Sequence, residues 1–455
     1  MAQPEPPRLR RVLSRGDLIL YGLVILTPTA PYPVYGIVQQ VSGGHAALSY
    51  TVAMVAMLFT AASYGKMAAA FPAAGSTYTY AQRGLNEHVG FLAGWAMILD
   101  YFLIPLLSVI YAALTAERLL PQVPNWIWAL LFTAFITYVN VHGIRVTARA
   151  SAWMMAIMTG CAVLFIGLAA ANVIAARGID GLLSLPGIYR RESFSAGPLM
   201  LGAGIATLSY IGFDAVSTLA EDTIRPEKDI GFATVLVCVI QGLICIATVY
   251  LAALVWPDYR SFPQTETVIL DIGQTIGGRW MFGALTFVLL VAGLASALTG
   301  QAGASRLLLG MGRDGVISRR LFATIDAARS TPTRSIYVMG IISAIGALVF
   351  RFQLAVELLN FGALMGFILA NLSVVRHYYF RLGRRRGSGW VTNLLFPLLG
   401  AAMCCYVWMS LTAKAKAAGF AWLGLGLVYL AAITRGFRLA PKSLGSLAEG
   451  AAGDA

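Results

Sequence analysis

Prolines at 28, 31 and 33 fall inside the first membrane-length apolar run, Gly22-Leu-Val-Ile-Leu-Thr-Pro-Thr-Ala-Pro-Tyr-Pro-Val-Tyr-Gly36. No single continuous helix can pass through them. Each proline removes a backbone N–H and crowds the preceding turn, so several carbonyls lose their helical partners. In hydrocarbon those groups need other partners, and irregular backbone at membrane depth is confined to places buried in protein or lining a polar cavity. Secondary transporters put their substrate sites at such interruptions. A proline kink with no ligand is the plainer reading of the same residues.

Composition makes hydrocarbon the relevant solvent. Of 455 residues, 58% are hydrophobic and 12% charged, against ~25% charged in a soluble domain. Apolar segments near the ~20 residues that a span needs fall at 17–41, 46–70, 88–118, 124–141, 150–175, 198–220, 231–256, 280–305, 335–352, 354–379, 390–412 and 418–435. This predicts an all-α, polytopic membrane protein of about twelve transmembrane helices. The splits within 335–379 and 390–435 rest on Arg351-Phe352-Gln353 and Lys414-Ala-Lys416. Arg8 to Arg15 before an apolar run resembles a signal peptide, but the length of the run and the many spans after it favour an uncleaved first helix.

The net charge of +13 is explained by topology. With the N-terminus cytoplasmic, alternate loops place 24 of the 33 Lys and Arg residues on the inner side. That is the positive-inside bias, and it puts both termini in the cytoplasm of a multi-pass inner-membrane protein. Nucleic acid is excluded as a partner, because the basic excess has another cause. Cysteines 161, 238, 245, 404 and 405 lack Cys-x-x-Cys spacing and read as small core residues, and the four histidines (45, 88, 142 and 377) are scattered. The sequence therefore implies no metal and no cofactor.

A second interruption lies half-way along. Thr207-Leu-Ser-Tyr-Ile-Gly-Phe-Asp-Ala-Val-Ser217 places Ser209, Gly212 and Asp214 at mid-membrane depth, and a glycine among polar residues weakens a helix there. Broken helices at matching positions of two halves point to an inverted repeat with the site between the breaks. Five helices per repeat give a ten-helix core over 17–380, with repeats at about 17–175 and 198–380. Helices 11 and 12 occupy 381–436, and cytoplasmic tails fill 1–16 and 437–455, of which 441–455, rich in Ala, Gly and Ser, reads as disordered.

At these residues the chain resembles the amino acid–polyamine–organocation (APC) superfamily, and most closely the bacterial putrescine-importer type. The matching runs are Gly65-Lys66 with Phe71-Pro-Ala-Ala-Gly-Ser-Thr-Tyr-Thr-Tyr80, and His88-Val-Gly-Phe-Leu-Ala-Gly-Trp95 with Leu99-Asp-Tyr101. Further on come Gly212-Phe-Asp-Ala-Val-Ser-Thr-Leu-Ala-Glu-Asp-Thr223, Ser305-Arg306, Met311-Gly-Arg-Asp-Gly315 and Asn360-Phe-Gly-Ala363. The resemblance implies a LeuT-type 5+5 inverted repeat with discontinuous helices 1 and 6. It also implies a central site between helices 1, 3, 6, 8 and 10, and alternating access driven by an ion gradient or by exchange.

Two departures bear on the substrate. The superfamily's Gly-Ser-Gly break falls here on Pro28-Thr29-Ala30, which leaves the Thr29 and Ala30 amides and the Thr29 hydroxyl, beside Thr27, to receive a carboxylate. The putrescine importers resemble one another in a helix 1 aspartate where this chain has Pro33. The second loss weighs more, so the expected order is a neutral or aromatic amino acid ahead of putrescine.

The remaining candidates follow from depth and chemistry. Asp214, at a depth where an ionised carboxylate costs about 3 kcal/mol, is a functional candidate by default; it matches an acidic position of the family it resembles, which implies proton coupling or a hold on a substrate ammonium, with a structural acid as the plain alternative. Asp100 divides between structural and substrate-binding roles. Tyr32, Tyr35, Tyr210 and Phe213 flank the breaks as candidate gates or ammonium-stacking rings, with ordinary packing the alternative. Ser296 and Thr299, one turn apart in helix 8, match hydroxyls that complete a sodium site in coupled relatives. Alignment on Gly143-Ile-Arg145 puts Met158 where some proton-coupled relatives carry a lysine. Glu221 and Asp222 read as a solvated loop or an inner latch to Arg313, and Arg381 to Arg386 as a topology anchor with anionic lipid contact open.

The expected function is a secondary active importer of an amino acid or polyamine, with a proton or sodium as the coupling ion. An exchanger on the same fold is the near alternative, and a membrane sensor or channel the distant one. No Gly-x-x-x-x-Gly-Lys-Ser/Thr loop supports ATP-driven transport, and no histidine cluster or catalytic acid pair supports an enzyme.

Overall fold

The computed structural model describes residues 13–72, 76–142, 148–220, 223–313, 318–326, 329 and 331–438. Arg8 to Arg11, Gly143 to Arg145, Glu221, Asp222, Gly315 and the tail 441–455 lie outside the described residues, as does the side chain of Arg313. Among the described residues the chain is all-helical, and its β-pairing is limited to two isolated bridges, Leu13 with Thr223 and Asp326 with Thr331.

The first span is divided as the prolines require. Helix α1, Arg15–Leu26, opens on a capping box in which Ser14 Oγ accepts the Asp17 N–H and the Asp17 carboxylate accepts the Ser14 N–H. It stops where Thr27 takes φ 50°, and the chain resumes as α2, Tyr35–Val41. Then come α3, Ala46–Ala70; α4, Ser76–Gly84; α5, Glu87–Leu119; α6, Asn125–Val141; and α7, Ala148–Arg177. The short α4, which the sequence reading assigned to a connection, packs against α5 and α13.

The second half begins with α8, Ala196–Ala206, which passes into 3-10 turns at Thr207–Tyr210 and Phe213–Ala220. The turn between them contains Gly212 at φ +121°, where a Cβ would also meet Ile25 Cγ2 at 2.6 Å. Only glycine serves at that position. The chain continues through α9, Pro226–Val255; α10, Val268–Arg313, kinked at Gly278; and the single turn α11, Arg319–Phe322. Last come α12, Thr333–Val349; α13, Phe352–Val374, extended by a π-helical turn; α14, Phe396–Ser410; and α15, Ala413–Ile433.

Eight of the described helical segments are long and apolar enough to cross a membrane: 46–70, 87–119, 153–177, 226–255, 268–309, 352–381, 391–410 and 413–433. α6 and α12 are shorter apolar helices. Large apolar side chains such as Trp153, Phe287, Ile341 and Val428 are exposed on the outside, an outer surface suited to lipid and not to water. The exposed Cys405 belongs to that surface, whereas the other four cysteines are buried as expected. Inside, α3 and α9 pack backbone to backbone where Gly65 meets Gly231, with no room for a Cβ on Gly65. This seam carries both interruptions, since α9 also packs against α1 and against the 3-10 segment 213–220.

Candidate functional site

Backbone groups freed by the two breaks must be satisfied inside the protein, and one side chain serves both. Gln241, on α9, donates through Nε2 toward Leu26 O (3.3 Å), Thr27 O (3.0 Å) and Ser209 O (3.3 Å). On the other side of the sixth span, Asn360 of α13 donates to Gly204 O at 2.7 Å and approaches Ile205 O at 3.4 Å. Sequence reasoning gave neither residue a role. The available signal was a buried amide alone in an apolar span, a residue type that finds partners on neighbouring helices.

Beside the sixth-span break, Asp100 and Asp214 line one closed cavity with Thr77, Met97, Gly366 and Phe367. Its free volume is about 10 Å³, at the ~10–15 Å³ threshold for holding one water. Asp214 accepts the Gly212 N–H at 3.2 Å, so the glycine turn aims the carboxylate. Asp100 Oδ1 is buried without a hydrogen-bond partner, pressed against Gly362, where a Cβ would stand 2.8 Å from it. Among the described residues neither carboxylate is in an ion pair. Two acids facing one void without a cation form a site suited to protons or to an ammonium group.

The remaining sequence candidates divide. Phe213 lies in a buried aromatic cluster, its ring 5.5 Å from Tyr64 and 5.1 Å from Phe367, next to the acid cavity. Tyr32 and Tyr35 are buried with unpartnered hydroxyls, packed on Phe165 and Phe262. Ser209 and Tyr210 are directed elsewhere. Ser209 Oγ pairs with Tyr50 Oη (3.3 Å) and Tyr210 Oη donates to Tyr50 O (3.0 Å), so both fasten the broken span to α3. In the first break the Ala30 N–H, expected to be free for a carboxylate, donates to Thr27 O at 3.0 Å to close the proline turn. The buried Thr29 makes no such turn bond through its N–H. On α10, Ser296 accepts from Ser108 at 3.0 Å and Thr299 bonds back to Ala295 O, so the hydroxyls expected at a sodium site are engaged away from the first break.

α4 closes the cavity from the side of the α3–α5 connection. Tyr64 Oη and Thr77 Oγ1 are hydrogen-bonded. Ser76 Oγ reaches Ser217 Oγ at 3.2 Å, and Ser217 in turn donates to Asp214 O at 2.6 Å. The start of α4, with Ser76 and Thr77, thus supplies a hydroxyl-bearing plug on the acid pair, a role the sequence did not disclose.

An all-helical membrane protein with two interrupted spans around a closed acidic cavity has the build of a small-molecule permease. The chain belongs to the amino acid permease family, whose model matches residues 34–424. It is 32% identical to the low-affinity putrescine importer PlaP of Escherichia coli K12 over 432 residues, which cover 94% of this chain and 95% of the relative. It is also similar to the branched-chain amino acid permease BcaP of Bacillus subtilis, at 27% identity over 81% of each chain. The vacuolar cationic amino acid transporter 4 of Arabidopsis thaliana is 28% identical over 81% of this chain and 64% of the relative. These relatives and the family are transporters, not enzymes, and the chain is an amino acid or polyamine permease-family transporter.

Proposed function

We propose that this protein is a proton-coupled secondary transporter that imports a small organic amine, with an aliphatic diamine preferred, across the bacterial inner membrane. The observation that carries this reading is the pair Asp100 and Asp214, both lining one cavity with no cation between them. The absence of an acid at Pro33 argued against a second ammonium, but two carboxylates from α5 and the sixth span provide what that position lacks. The engaged Ala30 amide weakens the competing preference for a zwitterion. Together they reverse the order expected from the helix 1 sequence. Similarity to a putrescine importer supports the same choice. Thr29 supports a second reading, an amino acid whose α-carboxylate takes that residue's amide and hydroxyl.

The architecture that goes with this function is twelve spans in a 5+5 inverted repeat over 17–380, with both termini cytoplasmic. It is supported by two interrupted spans separated by five positions, α1 with α2 and α8 with its 3-10 turns. A cavity of single-water size holds no diamine, so this conformation is a closed one, and transport requires α4 and the segment 213–220 to move apart. Proton coupling is favoured over sodium because two carboxylates without a cation share one void, the arrangement of a titrating pair.

The test is uptake of radiolabelled putrescine into proteoliposomes under an imposed pH gradient. Saturation and acceleration by unlabelled substrate on the opposite side are expected, with putrescine and cadaverine displacing the label well below the concentrations at which zwitterionic amino acids act. Displacement by zwitterions alone would make the second reading correct, and linear, gradient-only flux would make the protein a channel.

A further inference from the structure

A second and far larger cavity lies apart from the acid site. It measures about 850 Å³ and lies between the C-terminal end of α3, the first turns of α9 and the α13–α14 connection. Its chemistry has two parts. The mouth carries Lys66, Arg384, Arg385 and Arg386, against the single acid Glu227. Among the described residues none of these four cations is in an ion pair. The inner wall is apolar and thin: Ala62, Gly65 and Ala69 share one face of α3, opposite Gly231 and Val235 of α9.

The cations are held in place without being neutralised. Lys66 Nζ donates to Thr392 O (2.6 Å) and Asn393 Oδ1 (2.5 Å), both neutral acceptors. Lys66 and Arg384 each lie over the Tyr378 ring, at 5.8 and 5.5 Å from its centroid, which gathers two like charges around one aromatic ring. Tyr378 is itself fixed by donating to Lys66 O at 3.0 Å. Four cations facing the one acid Glu227 leave an excess of like charge that an anion relieves, and a phosphate takes such charge-assisted bonds well.

We propose that this cleft binds the phosphodiester headgroup of an anionic phospholipid, with an acyl chain lying along the small-residue seam between α3 and α9. The position decides between a lipid and a soluble phosphate. Lys66 stands four residues before the end of α3, and Gly231 lies in the second turn of α9, the level at which a bilayer presents its headgroups. A free phosphate meets the cations and leaves the apolar wall uncovered, whereas a lipid satisfies both parts. The proposal takes its cytoplasmic placement from the topology given above, but lipid binding is read without any transport assay, so the two can fail separately.

The experiment is native mass spectrometry of the purified full chain, delipidated in detergent and titrated with phosphatidylglycerol or with phosphatidylethanolamine of the same acyl chains. Phosphatidylglycerol is expected to be retained at least about tenfold more tightly, and the double variant Arg384→Gln with Arg386→Gln to lose about tenfold of that affinity, the scale of one charge-assisted contact. Both arginines are exposed, so this variant spares the packing that Lys66→Gln would disturb. Arg319→Gln with Arg320→Gln, on α11 away from the cleft, should leave retention unchanged. Equal retention of the two lipids, or equal loss in the cleft and α11 variants, overturns the proposal. Displacement of the lipid by millimolar inorganic phosphate or glycerol phosphate, with the same gain in melting temperature, also overturns it and assigns the cleft to a soluble anion.

Discussion

The two interrupted spans reach a similar shape by different means. In the first, three prolines delete donors outright, and the chain closes most of its own turns through Ala30, Tyr32, Val34 and Tyr35 amides bonded to Thr27, Thr29 and Pro31 carbonyls, with Gln241 reaching only the last carbonyls before the break, Leu26 O and Thr27 O. In the sixth, one glycine in the left-handed region makes the turn, and the carbonyls around it rely on Gln241 and Asn360 from other helices. A break written into three residues tolerates the loss of one. A break resting on one backbone conformation and two distant amides does not. The acid pair stands beside this second, dependent break, where a shift of a single turn displaces Asp214.

Substitutions can break that contrast or sharpen it. The largest effect is expected from Gly212→Val, which forces a β-branched residue to φ +121° and against Ile25. The two penalties together come to about 2–6 kcal/mol, so transport should vanish and thermal denaturation in detergent should show a much reduced melting temperature. A melting temperature equal to wild type would mean that the sixth-span break does not depend on its glycine.

Next is Asp214→Asn, aimed at activity. Accumulation driven by a pH gradient should fall to background while substrate exchange stays measurable at a higher half-saturating concentration, because the variant keeps the cavity shape but loses the titrating group and one of the two carboxylates facing the substrate. Continued concentration of substrate under a proton gradient alone would move the coupling to Asp100 or to another ion. Gln241→Leu should then lower stability by about 1–3 kcal/mol, the range for leaving buried acceptors unpaired. Both breaks share this donor, so amide hydrogen exchange should rise at both. A rise confined to one break would show that they are mechanically separate.

Smaller effects follow. Thr77→Val removes the partner of Tyr64 and should reduce stability by about 1 kcal/mol, with faster thiol labelling of a cysteine placed at Ser217 as the α4 plug loosens. Pro31→Ala should change stability by less than about 1 kcal/mol. It leaves the turn bonds to residue 31's carbonyl possible, and uptake should remain near wild type. If it proves as damaging as Gly212→Val, the contrast between the breaks fails.

The membrane class, the positions of most spans and both interruptions follow from the amino-acid sequence, because each rests on a local rule: apolar length, a missing proline donor, a glycine among polar residues. Helix 1 ending at Leu26 and resuming at Tyr35 is of this kind. Asp100 and Asp214 stood out because a carboxylate at depth is costly in any fold. That they line the same void was settled by the packing of α5 and α13 against the sixth span, with Gly362 leaving space beside Asp100. Tertiary structure also turned Ser209 and Tyr210 toward α3 and gave Gln241 its three carbonyls. It likewise brought Thr77 onto the acids and collected Lys66 with Arg384 around Tyr378. The physical reason is distance along the chain. Residues hundreds of positions apart carry no shared periodicity, and only the packed helices decide which buried polar groups face a partner and which face an empty site.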